Sequence, residues 1–253
     1  MKVIKARGLV VKEFEANESD KRLLLLSKEH GRIMVYARGA KKPKSKFLSS
    51  AQLFCYSDFV LADGPGFFSV TQTDVIRSFY NLRLCYDTLM AAHLFAEICD
   101  KSTFETLNLD GLLLLALKSL SVLEKMTYPP KQVSAVFLLR CLGFHGLRPV
   151  TDRCHLCGRP RASFEGQPYI AGDGLTCRSC CMLKKTIPAS DSCLAALCFI
   201  LDSSLSASFH FKVRDDVLER LYASALFLWG SHFDFELVSC RGGGNKALTQ
   251  LPL

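Results

Sequence analysis

Residues 32–47 read Arg32-Ile33-Met34-Val35-Tyr36-Ala37-Arg38-Gly39-Ala40-Lys41-Lys42-Pro43-Lys44-Ser45-Lys46-Phe47. The first half alternates. Ile33, Val35 and Ala37 fall on one face of an extended chain, and Arg32, Met34, Tyr36 and Arg38 on the other, the two-residue period of a half-buried strand. The second half cannot continue that strand, because Gly39 and Pro43 oppose both strand and helix. With Arg38, Lys41, Lys42, Lys44 and Lys46 it reads as a basic loop, expected to be mobile beside the strand.

The flanking sequence repeats the strand signal. Ile4, Ala6, Gly8 and Val10 alternate with Lys5, Arg7 and Leu9, giving a strand with one basic face. Leu23 to Leu26 form a short apolar run, and Lys28-Glu29-His30-Gly31 supplies a turn into the strand at 32–38. Two more strands are expected over Gln52–Leu61 and Phe67–Ile76, split by the breaker Asp63-Gly64-Pro65-Gly66. Five short strands in about eighty residues suit an OB-type barrel, although an SH3-like barrel accommodates the same strand count. OB-type barrels bind single strands across one face, with cations on phosphates and aromatics on bases. Arg32, Tyr36, Arg38, Lys41, Lys42, Lys44 and Lys46 are therefore the candidate nucleic-acid contacts. Tyr36 is accounted for equally by the strand propensity of a solvent-facing tyrosine.

Charge follows the same segment. Residues 1–46 hold 13 Lys and Arg against 5 Asp and Glu, a net of +8, while the other 207 residues carry 19 of each. From Lys28 to Lys46, seven cations face only Glu29. A local excess of this kind is the electrostatic footprint of polyanion binding, although lysine-rich runs also serve simply as solvated loops.

A 253-residue chain with 49% hydrophobic residues has material for a substantial core. No apolar run approaches the ~20 residues of a membrane span. Met1-Lys2-Val3-Ile4-Lys5 does not resemble a signal peptide, so a cytoplasmic protein with reduced thiols is expected.

From about residue 80 the periodicity turns helical. Leu82, Cys85, Leu89, Ala92, Ala96 and Cys99 form one stripe. Asn108 or Asp110 is placed to cap a second helix through 112–125, and Pro129-Pro130 to open a third that ends near Gly143. Leu218, Leu221, Tyr222, Ala225 and Trp229 mark a further helix over 215–229. His93 and His145 sit in or beside apolar helices and read as core or surface residues. The tail from Gly242, with three consecutive glycines, is expected to be disordered.

Of twelve cysteines, eight (Cys55, Cys85, Cys99, Cys141, Cys181, Cys193, Cys198 and Cys240) lie in apolar stretches, where packing is the default. The other four are doubled: Cys154-His155-Leu156-Cys157, then nineteen residues, then Cys177-Arg178-Ser179-Cys180. A pair of Cys-x-x-Cys turns brings four thiolates to one ion, so Cys154, Cys157, Cys177 and Cys180 are expected to hold one structural zinc. Four thiolates leave no position for a reacting water. Cys181 and His155 are spare donors that leave the fourth ligand open. Arg148, Arg153, Arg159, Arg161, Arg178, Lys184 and Lys185 surround the module, as a second nucleic-acid contact or as soluble surface. The chain thus divides into a barrel domain over 1–80 and a helical domain over 81–253, with the zinc module at about 149–185. The fold class is α+β.

This order of parts resembles the bacterial recombination mediator family RecO. The resemblance is carried by 38–46, by Ser78-Phe79-Tyr80-Asn81-Leu82-Arg83, by Phe137-Leu138-Leu139-Arg140-Cys141-Leu142-Gly143-Phe144, and by the cysteine pairs with Pro149 shortly before them. It implies a non-enzymatic role in DNA repair: binding single- and double-stranded DNA, annealing complementary strands and, with RecR, assisting RecA onto DNA covered by single-stranded DNA-binding protein. It also implies a bacterial cytoplasm, with nucleoid association during repair, and DNA contacts that include Arg38, Lys41, Lys42, Lys44 and Lys46. Some members of the family lack the cysteines, in keeping with a structural zinc. Residue chemistry alone leaves two rivals: a zinc- or thiol-dependent nucleic-acid-processing enzyme, and an RNA-binding OB-fold protein.

Overall fold

The computed structural model describes residues 3–64, 66–102, 109–182, 185–233, 237 and 239. Pro65, Asn108, Lys184, Cys240 and the tail from Gly242 lie outside them. The chain packs as two compact units, Met1–Glu124 and Lys125–Leu253. The change from strand to helix falls at residues 78–80, so two helices pack with the barrel.

In the first unit, β1 (Val3–Glu15), β2 (Lys21–Ser27), β3 (Gly31–Ala37), β4 (Tyr56–Gly64) and β5 (Phe67–Arg77) close a barrel in the order β1-β2-β3-β5-β4. Closure comes from β1 pairing with β4, and from a parallel contact of β3 with β5 at Val35–Phe68 and Tyr36–Ser69. This path is the OB arrangement, which decides between the two barrels the strand count allowed. β1 serves both β2 and β4 by bending at a bulge between Val10 and Lys12.

Leu23, Leu25, Val35, Ala37, Phe59, Leu61 and Val70 fill the interior. The run Leu23–Leu26 is apolar throughout because both faces of β2 are covered. Leu24 and Leu26 are buried outside the barrel with Leu9 and Val11, and helix α1 (Tyr86–Ser102) packs on β1. Leu9 therefore belongs to a buried face and not to the basic one expected from alternation. Burying each such leucine stabilises the fold by about 2 kcal/mol.

Four further expectations need correction. The segment 38–55 is a succession of turns with a defined course: Ala40, Phe47, Ala51 and Cys55 are buried in the barrel core, and backbone bonds run from Lys42 N to Gly39 O and from Ser45 N to Lys42 O. Its apolar residues anchor it, so it is not the mobile loop its glycine and proline suggested. Consequently β4 starts at Tyr56 and not at Gln52, since Phe54 N donates to Val10 O and Val10 N donates to Cys55 O across the bulge. A 3-10 turn at Tyr80–Leu84 precedes α1, so Leu82 and Cys85 lie before the helix whose stripe they were expected to start. Helix α2 (Leu109–Glu124) carries Asp110 inside its first turn and not as its cap.

In the second unit, α3 (Pro130–Phe144) opens after Pro129 and is buried on nearly every side from Gln132 to Leu142, the mark of a central helix. Helices α5 (Asp191–Asp202) and α6 (Asp215–Gly230) pack against it. Its buried Gln132 is satisfied by donating to Phe209 O and Phe211 O at 2.8 and 3.0 Å. His145 ends α3 edge-on to Trp229 and Phe233, a core histidine. Helix α5 was not among the expected elements. Between α3 and α5 lies the cysteine module: β6 (Tyr169–Ala171), β7 (Gly174–Thr176), the single-turn helix α4 (Arg178–Cys181) and β8 (Ile187–Pro188). Its sheet order is β7-β6-β8.

Candidate nucleic-acid interface and metal centre

The cations singled out along the barrel segment divide into tethered and untethered groups. Arg32 donates to Asp100 of α1 at 2.8 Å, and Lys12 of β1 meets the other carboxylate oxygen at 2.6 Å. Burial pushes the Asp100 carboxyl up, but hydrogen bonds and charge from Lys12 and Arg32 more than offset it and hold it below its ordinary value. Arg32 thus pairs with a helix carboxylate, although strand alternation puts it on the same face of β3 as Tyr36.

At the other end of β3, Asp20 gathers the start of the basic segment. Its carboxylate accepts from Gly39 N at 2.6 Å, Asn17 Nδ2 at 2.8 Å, Tyr36 Oη at 2.9 Å and Ser19 Oγ at 3.1 Å. The Gly39 amide leads, Asn17 follows, and together these donors hold Asp20 far below the usual carboxylate range. Tyr36 is correspondingly pushed up, because its hydroxyl proton is held by Asp20. Lys41 reaches Asn17 O and Glu15, both at 3.1 Å, and Lys46 donates to Thr71 O at 2.8 Å. Arg38, Lys42 and Lys44 are exposed and form no ion pair among the described residues. They are the cations that can meet an external anion without breaking an internal contact. Sequence reasoning missed Asp20, a short acidic residue in a turn, and Phe67, whose ring lies 5.9 Å from that of Tyr36.

The four cysteines converge as their spacing predicts: the sulfurs of Cys154, Cys157, Cys177 and Cys180 lie within 4.8 Å of one another. A tetrahedron with arms of about 2.3 Å, the zinc–thiolate distance, has edges of about 3.8 Å. Cys157 Sγ and Cys177 Sγ are 3.8 Å apart, so the residues present fit such an ion. Each pair sits in a turn that aims amides inward. Gly158, at φ 74°, lets its N–H return to Cys154 O at 2.9 Å, and Cys180 N returns to Cys177 O at 3.0 Å. Burial pushes the Cys154 thiol up, but the amides of Cys157, Cys177 and Leu156 outweigh it and bring its pKa down to about 6. The turns are fixed by Val150, which exchanges backbone bonds with Asp173 and Leu175. A Cβ at Gly174 would stand 2.2 Å from Val150 O, which is why glycine occupies that position. The spare donors point elsewhere: Cys181 Sγ to Arg178 O at 3.0 Å, and His155 Nδ1 to Asp173 at 3.5 Å. Among the surrounding cations, Arg148 binds Leu201 O and Asp202 at the end of α5.

Comparison with known proteins finds two profiles of one family along the chain. The family profile described as "Recombination protein O N terminal" matches residues 1–79, and "Recombination protein O C terminal" matches 83–226. A DNA repair protein RecO from Acetivibrio thermocellus is 34% identical over 223 residues, covering 87% of this chain and 88% of that protein. One from Desulfitobacterium hafniense is 34% identical over 184 residues, 71% of this chain and 65% of that protein. One from Listeria monocytogenes is 30% identical over 178 residues, 70% and 68% respectively.

Proposed function

The chain belongs to the RecO family, and from that premise we propose that it is a non-enzymatic mediator of DNA repair and homologous recombination. It binds single- and double-stranded DNA and anneals complementary strands. With RecR it assists RecA onto DNA coated by single-stranded DNA-binding protein. It works in the bacterial cytoplasm, joining the nucleoid during repair.

The observation that carries this reading is the exposed trio Arg38, Lys42 and Lys44 beside a closed barrel. Cations placed there neutralise phosphates and release counterions. Two strands on one basic surface repel each other less, so pairing proceeds without nucleotide or covalent chemistry. Phosphate contacts carry no base information, so binding is independent of sequence. Lys41, Lys46 and Tyr36 border the same surface, while Arg32 serves the barrel. The ion held by Cys154, Cys157, Cys177 and Cys180 is zinc, in a closed thiolate shell that shapes the module and offers no site for hydrolysis.

Lys42→Glu combined with Lys44→Glu tests the assignment through single-stranded DNA affinity measured across a salt series. Losing two phosphate contacts should flatten the log–log slope by about 1.4 and weaken binding about tenfold or more. An unchanged slope would remove the loop from the interface. An RNA strand of the same length that competes better than DNA would favour the RNA-binding alternative.

Asp20 supplies a second test with an unusual sign. Removing a negative charge beside a DNA-binding surface should tighten binding if only charge mattered. Because Asp20 holds Gly39 and Tyr36, we expect Asp20→Ala to weaken DNA binding about fivefold, through a loop that must then be ordered on binding at about 1 kcal/mol. Equal or tighter binding would show that Asp20 does not organise the loop.

A further inference from the structure

We propose that Tyr36 and Phe67 form a stacking site for one unpaired base of single-stranded DNA, a site that duplex DNA cannot use; the proposal rests on the DNA-binding reading above. Three neighbouring strands bring its parts together. Arg22 of β2 stands directly across from Tyr36 of β3, and β3 lies parallel to β5, whose first residue is Phe67. Tyr36 itself faces Ser69 of β5, and Phe67 stands two residues earlier on that strand, so one side of the sheet carries a cation, Tyr36 and, diagonally from it, Phe67.

Both rings are held before any ligand arrives. Tyr36 Oη donates to Asp20 at 2.9 Å, which fixes its ring, and the Phe67 ring lies 5.9 Å from it at a 50° tilt. Phe67 also rests over Gly64, where a Cβ would lie 3.7 Å from its ring. Even so, Phe67 keeps 42% of its surface in water. An exposed phenylalanine, half-supported and flanked by an aromatic, offers a π face and little else.

The surrounding charge identifies the occupant. Arg22 and Arg38 both act electrostatically on Tyr36, and Lys42 and Lys44 lie further along the same segment. An apolar peptide would leave these cations without partners. A strand that alternates phosphate and base satisfies both, since its anions meet the cations while a base lies on the rings. In a duplex the bases are already stacked on each other, so only the phosphate contacts remain.

The discriminating variants are Phe67→Leu and Phe67→Trp in the full chain. Phe67→Leu should weaken binding of a single-stranded oligothymidine about tenfold, the low end of one lost base stack. It should leave duplex affinity and the salt slope unchanged, because no charge is lost. Phe67→Trp should keep single-strand affinity and report on the site directly. The chain's single natural tryptophan, Trp229, is 1% exposed and provides a constant background. Emission from position 67 should be quenched by oligothymidine and not by inorganic polyphosphate of equal charge. Parallel losses on single strands and duplex, or equal quenching by polyphosphate, would overturn the stacking site while leaving phosphate binding intact. No salt-dependent DNA binding by the wild type would overturn the DNA-binding reading, and this inference with it.

Discussion

Replacing Cys177 with serine, or stripping the metal with a chelator, is expected to lower the melting temperature of the unit formed by residues 125–253 by about 10 °C or more. The module has little else to hold it. Its strands β6 and β7 are three residues long and β8 is two, too short to stand as an independent sheet. Cys154 and Cys177 are 0% and 2% exposed. Without an ion the cluster loses the positive charge that justifies gathering four thiolates at one point, two of them buried, and structural metal binding is itself folding free energy. The loss should appear as destabilisation and not as lost DNA affinity: below the melting transition, the Cys177→Ser chain should bind single-stranded DNA within about twofold of wild type, since the exposed cations lie in the other unit. Chelation should release four thiols together in a thiol titration, and elemental analysis should return one zinc per chain. A metal-free protein with an unchanged melting temperature would refute the structural role. A single fast-reacting thiol in the metal-loaded protein would instead favour the enzymatic alternative.

Local chemistry was legible wherever one element decides its own fate. The alternation in 32–38, the run 23–26 and the doubled cysteine pairs each carry their structure in their spacing, and strand β3, strand β2 and the sulfur cluster follow. Pro129-Pro130 opened a helix because proline's missing N–H costs nothing in a first turn. What failed depends on contacts distant in sequence. Leu9 alternates with Gly8 and Val10 as if exposed, yet it is buried on a strand against which α1 packs. The segment 38–55 has a loop's composition, yet Phe47 and Ala51 seal the barrel. Helix α5 had its own signal, a cap at Ser190 and apolar residues at 193, 194, 197, 200 and 201. Its position just after an irregular, cysteine-rich stretch obscured that signal.

The candidate interface shows the same limit more sharply. Its seven residues share charge or aromaticity in sequence, but what four of them meet (Arg32, Tyr36, Lys41 and Lys46) depends on neighbours that sequence did not supply. Arg32 meets Asp100, Lys46 meets the Thr71 carbonyl, and Tyr36 meets Asp20 and Phe67. A count of cations overstates the surface available to a polyanion. Subtracting those engaged internally leaves Arg38, Lys42 and Lys44, which are exposed and form no ion pair among the described residues.

The engagement of Arg32 leads to the second large effect. Asp100→Ala should destabilise the unit formed by residues 1–124 by about 2–3 kcal/mol, near the lower end for breaking a buried ion pair. The Asp100 side chain is 11% exposed, against 46% for Lys12 and 29% for Arg32, so water can partly solvate the stranded cations. The pH dependence separates this from a packing defect. The native Asp100 pKa is lowered, so its stabilisation is fully present above the unfolded carboxyl value of about 3.9 and fades as pH falls through the native one. Wild type should therefore lose its advantage over the variant in urea melts below about pH 4, while keeping it at pH 7. A stability gap that stays constant down to pH 2 would mean that Asp100 acts through volume alone. Asp100→Asn preserves that volume and should reproduce most of the loss at neutral pH, because Arg32 and Lys12 would lose the negative charge of Asp100. Single-strand affinity in Asp100→Asn should not fall, which would confirm that Arg32 belongs to the scaffold. A drop comparable to that of the Lys42 and Lys44 reversals would return Arg32 to the DNA-binding surface.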